Sequence, residues 1–273
     1  MKKIAYPGVA GSFSSMAARR LFPNEELLAY PTFSRVFAAV EGGEADAGVL
    51  PYENSSTGEV GEISELLKQG SVYVNKTLDL PVRHHLLGIS GSTVSDLREV
   101  YSHPQALSQC AAFFEGKGID LIPALNTAIA AKEVGQRKDP AKGAVASLET
   151  AELYGLSVLA SDIQTSRTNT TRFIMISKEF TDSGNRFQVL FTVKNNPGEL
   201  ARVLTAIADR GFNMLNIKSH AVAGKPWSYY FHTEIEGDLH SAPAGEMILQ
   251  IRNYCDDVKV LGGYFHEPLQ NQD

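Results

Sequence analysis

The chain has 273 residues, 43% of them hydrophobic, with a formal net charge of −6 at pH 7. It is long enough for one large core or two modest ones, too acidic for a general nucleic-acid or membrane-surface binder, and without a window apolar enough to span a bilayer. Cys110 and Cys255 lie far apart and read as reduced thiols, and no apolar segment follows Met1–Ala5 to make a signal peptide, so a soluble cytoplasmic protein is expected.

In chain order, short apolar runs predict strands over 3–6, 47–51, 72–80, 85–89, 99–102, 143–146 and 172–177. Helical spacing fills the gaps over 14–22, 33–41, 59–68, 104–116, 127–136 and 148–154. Such alternation is the signature of an α/β fold. A polar break at 178–185 marks a domain boundary. Beyond it, Phe187, Val189, Phe191 and Val193 alternate as a half-buried strand. "NNPGE" (195–199) makes a turn, and Leu200, Val203, Leu204, Ile207 and Ala208 form a helical stripe that stops at Gly211. A hairpin over 213–222 and 228–236 around "AGKP" follows, then a helix at Met247–Ile251 and a strand at 258–261. The order β-α-β-β-α-β is ferredoxin-like.

Several junctions in the first domain share one design, a strand end followed by a polar turn and a helix start. "GVAGSFS" (8–14) carries Gly8, Gly11 and Ser12; "ENSSTGEVGE" (53–62) carries Glu53, Asn54 and Ser55; "SHPQALSQC" (102–110) carries Ser102, His103 and Gln105; "LNTAIA" and "ASLETA" repeat the pattern. Helix N-termini offer free N–H groups and partial positive charge, so several converging ones suit an anion such as a carboxylate, in the crevice at the strand ends. Each junction alone is equally an ordinary helix cap: Asn54 and Gln105 can close turns, and His103 can cap or sit in a core. "SRTNTTRF" (166–173) leads polar side chains into an apolar strand, which suits an anion or an ordinary loop. Apart from the adjacent His84 and His85, the seven histidines show no metal-ligand spacing. No phosphate loop, dinucleotide fingerprint or nucleophile elbow is present.

Taken together, "GVAGSFS", "ENSSTGEV", "SHPQALSQC" and "NTTRF" (169–173) resemble the motifs of the prephenate dehydratase family over nearly the whole chain, and the last third resembles the ACT regulatory domain. The resemblance implies a two-lobed, periplasmic-binding-protein-like catalytic domain over 1–180, with lobes of about 1–77 plus 159–180 and 78–158, followed by the ACT domain over 186–270. It implies a monofunctional enzyme that removes the ring hydroxyl and a carboxylate of prephenate to give phenylpyruvate, without cofactor or metal. Thr171, Asn54, Gln105 and Arg172 are then catalytic, Thr171 as hydrogen-bond donor to the leaving oxygen and Arg172 as a fork for a carboxylate. Ser12, Glu53, Ser55, Ser102, His103, Thr170 and Phe173 are substrate-binding. In the ACT domain Asn196, Pro197, Gly198, Glu199, Leu200, Asn216, Ser219 and His220 hold L-phenylalanine as feedback inhibitor, in a homo-oligomer built as a dimer of dimers. Lys218-Ser219-His220-Ala221 stands where the family has Glu-Ser-Arg-Pro, so only the serine matches, and a histidine near the ligand predicts pH-sensitive inhibition.

Two other functions fit the same residues. Arogenate, the amino-acid analogue, undergoes the same elimination, and "VRHHLLGI" (82–89) and "NTAIAAKEVG" (126–135) also resemble arogenate dehydratase segments. A catalytically silent amino-acid sensor uses the same lobes, though it has no need of Thr171, Arg172, Asn54 and Gln105 together.

Overall fold

The computed structural model describes residues 1–194, 196–222, 224–225 and 227–266. The first lobe comprises β1 (Lys3–Pro7), α1 (Phe13–Leu21), β2 (Glu26–Tyr30), α2 (Phe33–Glu41), β3 (Ala47–Asn54), β4 (Gly58–Glu59), α3 (Gly61–Gln69) and β5 (Tyr73–Pro81). The second comprises β6 (His85–Gly88), β7 (Glu99–Ser102), α4 (Pro104–Gln109), α5 (Ala111–Phe114), β8 (Asp120–Pro123), α6 (Thr127–Arg137), β9 (Lys142–Ala146), α7 (Leu148–Tyr154) and β10 (Ser157–Ala160). The chain then returns as β11 (Thr170–Ser177), antiparallel between β3 and β5. The first sheet has the order β2-β1-β3-β11-β5 and the second β10-β6-β9-β7-β8. Because β5 lies wholly in the first lobe and β10 in the second, the crossings run through 82–84 and 161–169 rather than at 77 and 158.

Local chemistry explains where the helices start. Ser12, Thr32, Asn126 and Ser147 cap α1, α2, α6 and α7, each accepting from the N–H three residues on. The single helix predicted over 104–116 is broken. Cys110 ends α4, and the Gln109 carbonyl accepts from Thr165 N–H of the returning segment at 2.9 Å. That tertiary bond draws the carbonyl out of the helical ladder.

The last third forms β12 (Arg186–Val193), α8 (Glu199–Asp209), β13 (Asn213–Ala221), β14 (Tyr229–Glu236), α9 (Ala242–Arg252) and β15 (Cys255–Tyr264), in the sheet order β13-β14-β12-β15. The predicted tail of this domain at 267–270 lies outside the described residues, as do Asn195 of "NNPGE" and Ala223 and Pro226 of "AGKP". One face of the sheet packs Phe187, Val189 and Phe191 against Val203, Ile207, Met247 and Ile251 of the two helices. The other face lies on the first lobe, where Leu190, Tyr230, Leu261 and Tyr264 share a core with Leu50, Tyr52, Ile63 and Val74. So β12 is buried on both faces, not half-buried as its alternation suggests. Gln188 is fully buried and bonds the Tyr264 hydroxyl at 2.8 Å. Gly262, at φ +120°, brings β15 so close that an added Cβ would meet the Val74 carbonyl at 2.7 Å.

Candidate active site

A cavity of about 310 Å³ opens between the lobes, within the range of small-molecule sites. Its first wall is the end of the first sheet, with Pro51 and Asn54 of β3 and Thr171 and Phe173 of β11. Thr171 and Phe173 share a face because side chains alternate along a strand. Asn54 reaches that face through a β-bulge. The register passes from Arg172↔Glu53 to Phe173↔Pro51, skipping Tyr52, and such bulges re-aim side chains. The second wall is α4 and α6, with His103, Gln105, Gln109, Asn126 and Thr127. His84 and Asn169 come from the two crossing segments, and Ser12 and Phe13 from the start of α1.

The hydrogen bonds give the site a definite direction. Asn54 Oδ1 accepts from the backbone N–H groups of Ser56 at 2.9 Å and Thr57 at 3.2 Å. Asn54 Nδ2 then donates to Thr171 Oγ1 at 2.9 Å and Asn169 Oδ1 at 2.8 Å. Thr171 Oγ1 is therefore an acceptor toward Asn54, and its own proton is free to point into the cleft. Gln105 Nε2 reaches across the lobes to Thr57 Oγ1 at 3.4 Å. Among the described residues, no lysine or arginine lines the cavity. Positive potential comes instead from the N-termini of α1, α4 and α6, which all open onto it. Burial lowers the His84 imidazole to about 4, against the opposing hydrogen bond of Gln109, so it is neutral at pH 7.

Not every predicted site residue faces this cleft. Ser12, Asn54, His103, Gln105, Thr171 and Phe173 line it. Ser55 and Thr170 tie the loop instead: Ser55 Oγ accepts from Thr170 N–H at 3.0 Å and donates to the Thr168 carbonyl at 3.3 Å. Ser102 is fully buried and donates to the Val145 carbonyl at 2.6 Å. Arg172 is a correction. It alternates away from Thr171 and forks onto Asp79 at 2.7 and 2.9 Å, with Nη1 3.3 Å from Glu234. Glu53 is another. The bulge leaves it on the same side as Arg172, paired with Lys218 Nζ at 2.6 Å. Both therefore join the first lobe to the C-terminal sheet rather than reach the cleft.

The C-terminal residues also divide. Along β13, Asn216, Lys218 and His220 face the first lobe. Asn216 Oδ1 accepts from Glu234 N–H at 3.2 Å, and His220 Nε2 lies 3.4 Å from Glu59 and stacks on Tyr230. Ser219 points the other way and is exposed. The turn Asn196–Leu200 opens α8, with Gly198 at φ +86° and Glu199 paired to Arg202 at 3.4 Å. So Asn216 and His220 do not share a face of the sheet with Ser219.

Gln109, Asn169 and His84 are among the cleft residues that went unpredicted. Gln109 sits one helical turn after Gln105, on the same face of α4, and that spacing was the available signal. Asn169 lies inside the quoted "NTTRF". His84 carried no signal beyond its neighbour His85.

Comparison with known proteins agrees with this architecture. The prephenate dehydratase family model matches residues 4–181 and the ACT domain model 187–246. The arogenate dehydratase/prephenate dehydratase 1 of Arabidopsis thaliana is 32% identical over 96% of this chain and 71% of its own length. The bifunctional N-acyl-homoserine lactone acylase/prephenate dehydratase of Komagataeibacter europaeus is 32% identical over 98% of each chain. Among solved structures, the quorum-quenching acylase GqqA matches with a TM-score of 0.90 at 32% identity, covering 98% of this chain and 99% of its own. The L-Phe complex of prephenate dehydratase from Arthrobacter aurescens matches with a TM-score of 0.86 at 24% identity, over 96% of this chain and 89% of its own. The chain belongs to the prephenate dehydratase family of hydro-lyases and carries an ACT domain behind its two-lobed α/β domain.

Proposed function

We propose that this cleft converts prephenate to phenylpyruvate, with arogenate as the competing substrate. The ring C–O bond breaks, the ring carboxylate leaves as CO2, and its electron pair aromatises the ring. The departing hydroxide must meet a hydrogen bond or a proton as its charge develops. The observation that carries this reading is the oriented Asn54–Thr171 pair, which leaves the Thr171 hydroxyl as a donor facing the cavity. Threonine is a weak acid, so it acts by positioned hydrogen bonding or by relay of a solvent proton. Helix N-termini, in place of Arg172, receive the two carboxylates. Gln105 and Gln109 orient the substrate from the second lobe, and closure of the lobes excludes water.

The ACT domain is the site of feedback by L-phenylalanine. Support comes from the L-Phe complex of the Arthrobacter aurescens relative. The C-terminal sheet also ends in an edge strand, β13, whose Leu215 and Ile217 are 38% and 37% exposed. A second copy pairs along that edge, and the assembly is a dimer of dimers. Turnover of prephenate and arogenate with and without L-phenylalanine tests the function, and sedimentation tests the assembly; a monomer at micromolar concentration would contradict the latter.

A further inference from the structure

A chain of side-chain hydrogen bonds crosses the cleft from one lobe to the other, and the backbone fixes its direction. Backbone N–H groups only donate, so Ser56 and Thr57 make Asn54 Oδ1 an acceptor and Asn54 Nδ2 a donor to Asn169 Oδ1. Asn169 Nδ2 must then donate onward, to Gln109 Oε1 at 3.1 Å. Gln109 Oε1 is thereby an acceptor, so His84 Nε2, 3.2 Å from it, carries the imidazole proton. The other nitrogen, Nδ1, is left as an acceptor, buried and without a protein partner among the described residues.

His84 is buried and has few charged neighbours. Its ring meets the edge of Phe13 at 5.8 Å, and its backbone N–H donates to Gln164. The neighbouring titratable groups are His85, whose Nδ1 accepts from Asp162 N–H, and the exposed Arg83–Asp162 pair. A phenylalanine would fill similar space without ring nitrogens to satisfy, but could not donate to Gln109. The Nε2–H bond to Gln109, rather than packing, is what a histidine supplies here.

Building on the dehydratase reading, we propose that His84 is a positioning residue. Its Nε2–H and the Asn169 amide pin the Gln109 carbonyl together, which leaves Gln109 Nε2, without a protein partner among the described residues, offered to the substrate. The buried ring stays neutral across the working pH range and holds the Gln109 amide in one orientation through each turnover.

Four variants test this: His84→Phe, His84→Gln, Gln109→Ala and the double variant His84→Phe/Gln109→Ala. His84→Phe lowers kcat about 10- to 100-fold, as misplacement of a substrate-orienting group does, and moves KM by less than about threefold. Its melting temperature does not fall. His84→Gln, whose amide can donate from the same place, recovers most of the rate. The double variant is no slower than Gln109→Ala, because the two act as one unit. A His84→Phe enzyme with wild-type kcat, rate losses that multiply in the double variant, or a melting temperature that falls in step with the rate overturns the proposal. Nitrogen NMR of the unliganded chain provides a readout independent of turnover: Nε2 protonated and Nδ1 bare is expected, and the opposite tautomer overturns the inference. If the unaltered chain turns over neither prephenate nor arogenate, the dehydratase reading fails, and the NMR result alone then decides the direction of the chain.

Discussion

Replacing Arg172 separates the two roles assigned to it most sharply. Its side chain is 22% exposed and forks onto Asp79, itself 13% exposed, while Nη1 meets Glu234, 2% exposed. Arg186 also reaches Glu234, at 3.4 Å, but Asp79 has no second arginine or lysine among the described salt bridges. Arg172→Met therefore leaves the largely buried Asp79 carboxylate without its cation and hydrogen-bond fork. Breaking such a pair costs about 3–5 kcal/mol. At about 2–4 °C per kcal/mol for a chain somewhat shorter than this, the melting temperature falls by roughly 6–20 °C. Calorimetry without substrate at pH 7 reads this directly. Adding Asp79→Asn to Arg172→Met removes the stranded charge and recovers part of the loss, a coupling that a double-mutant cycle measures. An arginine that gripped a substrate carboxylate would give the opposite result, a raised KM with an unchanged melting temperature. That outcome would refute the placement of Arg172 between the domains.

Thr171→Val keeps the shape of the side chain and removes its hydroxyl. It is expected to lower kcat by about 10²–10³, the usual cost of losing one aimed donor, with KM little changed; wild-type turnover would rule out Thr171 as the donor. Buried His84 and His232 are lowered by desolvation to about 4 and about 3. Unfolding lets both take up protons below about pH 6.5, so stability is full above that value and falls as the pH drops, by up to about 1.4 kcal/mol per unit for each. Urea melts from pH 7 to 5 check this, and a flat profile would contradict it. Burial alone would raise the Glu59 carboxyl, but the nearby His220 imidazole, the Ser64 hydroxyl and the charge of Lys218 bring it to about 2. Its contribution is present above about pH 4.5 and lost as the pH falls toward 2; Glu59→Gln should remove that part of the acid transition and leave the part above pH 5.

The strands that the sequence revealed are the well-covered ones. β3 and β11 carry apolar runs because the sheet buries them, and β5, although an edge of its sheet, is covered by β15 of the C-terminal domain, whereas the missed β2, β8 and β10 are sheet edges of four or five residues. An edge strand is half-covered, so its run is short and mixed. The cleft motifs were legible as residue types at helix starts, but not their directions. Glu53 and Asn54 are adjacent in sequence, and a bulge at Tyr52, set by strand register rather than by local pattern, sends one to the C-terminal sheet and the other to the cleft. For Arg172 the alternation was available, since Thr171 and Arg172 must face opposite ways on a strand. What the sequence could not supply was the second surface, the ACT sheet with Glu234, that makes the far face a buried one. His84 and Asn169 entered the site for the same reason. They sit on the two crossings, whose convergence depends on the packing of the lobes.

Steady-state turnover of the purified chain on prephenate and on arogenate, each with and without L-phenylalanine, is the most direct test. Phenylpyruvate formed from prephenate and suppressed by L-phenylalanine is the predicted result. Turnover of neither substrate, with L-phenylalanine still bound, would contradict the catalytic role assigned to Thr171 and its cleft.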